Sequence, residues 1–172
     1  MSTVRVWLSG WEWACCGDPF GVGDVVSFAC RPPRGTWFVE QFGAEFAGAL
    51  TLVEEHHDGG DDDRPVQTVV GTVQAIHAVV ADERVVRVPR PPRPAPERFD
   101  LGNGFSAGVG PVPPYMLTSE PLPGTVRLRE ATRVPDARAR DFSHPVVADP
   151  RPDPEDGAIV TRSPGWLVDV ET

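Results

Sequence analysis

Residues 66–88, VQTVVGTVQAIHAVVADERVVRV, constrain the fold more than any other stretch. Val69, Gly71, Val73, Ala75, His77 and Val79 share one parity, and Val70, Thr72, Ile76 and Val80 the other. Successive side chains of an extended chain point to opposite faces, so apolar residues on both parities require cover on both faces. The segment therefore reads as a central strand. Ala81-Asp82-Glu83 is expected to turn the chain, with residues 84–88 returning as a hairpin partner.

Shorter elements fit around such a strand. Val4, Val6 and Leu8 alternate with Arg5, Trp7 and Ser9, a first strand with one apolar and one mixed face. Trp7, Trp11 and Trp13 share parity across Gly10; they read as core or rim packing, with an aromatic ligand platform as the alternative. In WEWACCGDPFGVGDVVSF (11–28), Gly17-Asp18-Pro19 and Gly23-Asp24 are turns, Phe20 and Val22 are expected to enter one core, and residues 25–30 form a strand. Thr36 is placed to cap a helix over 37–47, where Phe38, Phe42, Phe46 and Leu50 recur at i, i+4. Gly48 weakens its end, so residues 49–55 can be a strand, and Trp166, Val168 and Val170 mark a terminal one. The fold class is α+β and β-rich: a small barrel or strongly bent antiparallel sheet with one helix.

The character changes at residue 89. PRPPRPAPER (89–98) favours extended polyproline geometry, and residues 99–114 and 136–157 are laden with Gly and Pro. Residues 124–134 between them read as a strand or a short helix. These segments lack the apolar density to bury themselves. The organisation expected is a β-rich core domain, 1–88 plus 165–172, with a Pro/Gly-rich, loop-dominated insert at 89–164.

The formal charge is −9 and every basic residue is arginine. An acidic chain argues against phosphate-backbone binding, so nucleic acid is not an expected partner. Three cysteines do not read as a secreted disulfide framework. The chain opens directly on an alternating strand, and no apolar run approaches the ~20 residues of a membrane helix. A cytoplasmic protein is expected, with no membrane partner. Nucleotide-binding, serine-hydrolase and zincin motifs are absent, and the acidic run 58–63 lacks the spacing of a calcium loop.

Two sets of side chains are suited to chemistry. Cys15, Cys16, His56 and His57 are the right types and number for a zinc site, with Cys30 or His77 available to complete it. Their spacing is poor, because neighbours on a strand point apart. Cys16 with His56 or His57 as base and Glu54 or Glu55 as orienting group has the parts of a thiol enzyme. A Cys15–Cys16 disulfide would be a strained redox element.

The run WEWACCGDPFGVGDVVSF, EEHH at 54–57, GTVQAI at 71–76 and GWLVDV at 165–170 resemble an uncharacterised actinobacterial family with a CCG-x-PF-x-VGD signature. The resemblance covers the first ninety residues and the last eight. It implies a cytoplasmic bacterial protein with one shared domain and a variable insert, and it brings no activity or site residue. The leading expectation is a non-catalytic binding or interaction module with a protein or small-molecule partner and no cofactor. The alternatives are a zinc-binding protein and a thiol-dependent enzyme.

Overall fold

A computed structural model describes residues 2–55, 66–91, 99–100, 106–107, 113–135 and 153–172. In chain order the elements are β1 (Thr3–Ser9), α1 (Gly10–Cys16), β2 (Phe20–Gly21), β3 (Val25–Arg31), α2 (Trp37–Phe42), α3 (Ala44–Ala49), β4 (Leu52–Glu54) and β5 (Gln67–Pro89). There follow β6 (Phe99–Asp100), β7 (Ser106–Ala107), β8 (Tyr115–Pro121), β9 (Arg127–Ala131), β10 (Arg133–Val134) and β11 (Ile159–Glu171).

The spine is β5, one continuous strand of 23 residues. The turn expected at Ala81–Glu83 does not form, because these residues are held from both sides. Ala81 is buried. The Asp82 backbone N–H donates to Thr125 Oγ1 at 3.0 Å, and its carboxylate accepts from Arg127 at 2.8 Å and Thr161 at 2.7 Å. Along one edge β5 pairs antiparallel with β3, β9 and β8; along the other it pairs with β11 from Thr72 to Arg84. Residues 113–135 thus contribute β8 and β9 to the main sheet.

The sheet closes in a ring, β5–β11–β1–β4–β3–β5, and is strongly bent. All its contacts are antiparallel except β1–β4, where Val6 faces Leu52 and Trp7 faces Val53. Arg5 and Asp169 are register partners on β1 and β11, joined by a two-pronged ion pair at 2.7 and 2.8 Å. Val6, Leu8, Val26, Phe28, Cys30, Leu52, Val69, Val73, Ile76, Val168 and Val170 fill one core cluster. Trp13, Phe20 and Val134 belong to it too, brought there by α1 and the small β2–β10 pair.

A second apolar layer lies on the other face of β1 and β11. Trp7, Val79 and Leu167 point that way and are covered by Phe38, Phe42 and Leu50. The Trp7 ring lies 5.7 Å from Phe38, 5.4 Å from Phe42 and 6.0 Å from Phe46. The phenylalanine stripe therefore packs as expected, but on two short helices instead of one. Gly43 is the reason: its φ of 90° is open to glycine and ends α2 before α3 begins. Thr36 occupies the N-cap position without capping; its hydroxyl donates to Glu40 Oε1 at 2.6 Å.

A helix also stands where the sequence suggested a strand or turn. The segment around Trp11 forms α1, so Trp7 and Trp13 leave on opposite sides of the sheet. Val22, expected in the core beside Phe20, is half exposed at 50%.

Candidate functional site: a groove lined by every tryptophan

Where β1 runs out into α1, the chain builds a groove of about 510 Å³. Its lining includes Trp7, Trp11, Trp13, Trp37 and Trp166, all five tryptophans of the protein. Four elements bring them together: Trp7 comes from β1, Trp11 and Trp13 from α1, Trp37 from the start of α2 and Trp166 from β11. Trp7 and Trp13 are buried, Trp166 is half-buried, and Trp37 and Trp11 stand exposed at 48% and 69%. Two indoles thus anchor the groove in the two cores, and two lie open to an incoming ligand.

The rest of the lining is Ser9, Gly10, Ala14, Pro135, Ser163 and Pro164. Apart from the indole N–H groups, its side-chain polar atoms are two serine hydroxyls. Among the described residues no charged side chain lines it, although Glu12 sits between Trp11 and Trp13 on α1. Such a surface binds by stacking and apolar burial, and demands few hydrogen bonds of its occupant.

Trp13 also borders a second hollow, of about 350 Å³, lined among others by Cys16, Asp18, Phe20, Phe28 and Glu54. Glu54 is only 4% exposed. Loss of water, then the negative charges of Glu12 and Glu55, push its carboxyl up to about 8. At neutral pH it is therefore mostly protonated. Its register partner Cys30 is fully buried, and burial, then Glu54 and Glu55, push that thiol up to about 12. Buried Arg31 pairs with Glu55 at 2.9 Å.

The structure brings only part of the sequence-derived sites together. Cys15 and Cys16 do not point apart, because they end a helix; both are exposed, and the Cys16 thiol donates to Cys15 Sγ at 2.8 Å. Cys16 and Glu54, two parts of the thiol-enzyme reading, border the same hollow. His56, His57, the acidic run 58–63 and residues 92–98 of the proline-rich run lie outside the described residues. Cys30 is enclosed in the ring, and half-buried His77 sits on β5 opposite Leu167 and Glu130. Among the described residues no group of three or more His, Cys, Asp or Glu side chains is placed to hold a metal. None of their helices is long and apolar enough to cross a membrane.

The parity of Trp7, Trp11 and Trp13 was the sequence signal for the groove. What parity could not show is that α1 rotates Trp11 and Trp13 against Trp7, or that Trp37 and Trp166 join them.

The chain belongs to a family of unknown function, DUF6578, whose model matches residues 2–172. The match takes in the central region that the earlier resemblance left uncompared. A search of the curated proteins and of the solved structures found no match.

Proposed function

For this member of a family of unknown function, we propose a non-catalytic binding module that holds a proline-rich, basic peptide in the tryptophan groove. The observation that carries the reading is the convergence of all five tryptophans on one hollow. Stacking surface without matching hydrogen-bond capacity selects against sugars, whose hydroxyls need many partners. An acidic chain with no basic side chain among the described lining residues selects against nucleotides. A polyproline helix suits the groove: its prolines offer rigid apolar ring faces, lack N–H groups and lose little entropy on binding. The net charge of −9 favours arginine or lysine beside those prolines.

The same reading places the protein in the cytoplasm of an actinobacterium, in keeping with its arginine-only basic residues and its Ala-, Pro- and Gly-rich composition. The CCG-x-PF-x-VGD signature would then mark the family for a structural reason: it spans the end of α1, the buried Phe20 and the turn at Gly23-Asp24.

Calorimetric titration with an arginine-flanked oligoproline peptide tests the proposal. Binding is expected with wild-type protein and not with a Gly/Ser peptide of equal charge. Trp11→Ala is expected to weaken it by up to about tenfold, as loss of one stacked ring is worth about 0.5–1.5 kcal/mol. Equal binding of the two peptides, or none of either, refutes the reading.

A further inference from the structure

We infer that Cys15 and Cys16 form a reversible dithiol–disulfide site for small-molecule disulfides, and that bridging them rearranges the end of α1 that holds Trp13. The two thiols are consecutive, exposed and 2.8 Å apart. Cys30, the remaining cysteine, is fully buried with its thiol pushed up, so it takes no part.

The chemistry is thiol–disulfide exchange with a reagent of the oxidised-glutathione class. One cysteine thiolate, here Cys16, attacks a sulfur of the reagent. A mixed disulfide forms, and the first small thiolate leaves. The neighbouring Cys15 thiolate then attacks Cys16 Sγ, closing the internal disulfide and expelling the second small thiolate. Two electrons pass to the reagent, and the two cysteine protons end on the two small thiols.

Covalent geometry makes this couple labile. Consecutive Cα atoms lie about 3.8 Å apart across a trans peptide, closer than the roughly 4.4–6.8 Å of ordinary disulfides. The bridged form is therefore strained and easily reduced, which suits a regulatory bond more than a structural one.

The same geometry couples the bond to Trp13. An eight-membered ring through two adjacent residues does not keep helical backbone angles, so closure must alter the last turn of α1. That turn is completed by the Gly17 N–H donating to Trp13 O at 2.9 Å. The Trp13 ring lies so close to Gly17 that a Cβ there would clash with it. On its other sides the ring meets Phe20 at 5.4 Å and Phe28 at 6.4 Å. A moved Gly17 cannot leave Trp13 in place.

The test does not depend on the peptide reading. Native protein is incubated with oxidised glutathione and followed by intact mass and near-ultraviolet circular dichroism. Wild type is expected to lose the mass of two hydrogens, retain no glutathione, change its tryptophan signal and recover on adding reduced glutathione. Cys15→Ser and Cys16→Ser are expected to retain one glutathione each and keep the wild-type reduced spectrum. Glutathione held stably on wild type, a disulfide between two chains, or unreacted thiols would overturn the site. An internal disulfide with an unchanged tryptophan spectrum would overturn the coupling to α1.

Discussion

Replacing Glu54 by glutamine is expected to change how stability depends on pH. The carboxyl is 4% exposed and is pushed from its ordinary 4.5 up to about 8, first by burial and then by Glu12 and Glu55. Below 4.5 the native and unfolded chains both carry the proton, and the group adds no pH dependence. Between 4.5 and about 8 the unfolded chain ionises while the native chain keeps its proton, so stability falls as pH rises. Above that range both forms are ionised and the loss levels off. Each pH unit in the window is worth at most about 1.4 kcal/mol, which caps the loss near 5 kcal/mol. The hollow beside Glu54 opens to solvent, so about 2–3 kcal/mol is the better expectation. Glutamine keeps the shape and the donor but cannot ionise. Urea unfolding across the window is the assay, with the slope expected to stay constant. The variant should match wild type at the acid end and exceed it at the alkaline end. A difference independent of pH, or a variant weaker at the alkaline end, would refute the assignment of a buried neutral acid.

Other substitutions separate scaffold from site. Trp7→Ala removes the ring on which Phe38, Phe42 and Phe46 converge and should cost about 3–5 kcal/mol in denaturant melts, whereas exposed Trp11→Ala should stay within about 0.5 kcal/mol. Arg31→Ala leaves Glu55 without its 2.9 Å ion pair beside an acidic cluster and should cost about 3–5 kcal/mol, read as a lowered Tm. Gly43→Ala forces a side chain into a φ of 90° and should cost about 1–2 kcal/mol by the same measurement.

Much of the fold was legible because it rests on short-range pattern. The alternation of Val4, Val6 and Leu8, the strand at 25–30 and the double-faced run at 66–88 each carry a period-two signal that the ring uses directly. The phenylalanine stripe gave the covering helix, although Gly43 divides it through a backbone angle that no side-chain pattern records. Misread elements were those fixed by distant partners. Asp82 looks like a turn residue until Thr125, from the connection before β9, and Arg127 and Thr161, from later strands, arrive to hold it in β5. Helix α1 is short and lacks a capping side chain; it exists because Trp13 finds Phe20, Phe28 and the interior of the ring. The thiol pair was visible as CC, but its convergence depended on that helix. The groove was the least legible, since its five rings come from four elements joined only by the closed sheet.

The most direct measurement is a titration of the five indole N–H resonances in a two-dimensional nitrogen–proton spectrum with the arginine-flanked oligoproline peptide. The expected result is saturable shifts of the Trp11, Trp37 and Trp166 indole signals, with β8 and the far end of β5 unmoved. Shifts centred on β8, or indole signals that stay in place at saturating peptide, would contradict a tryptophan-groove binding module.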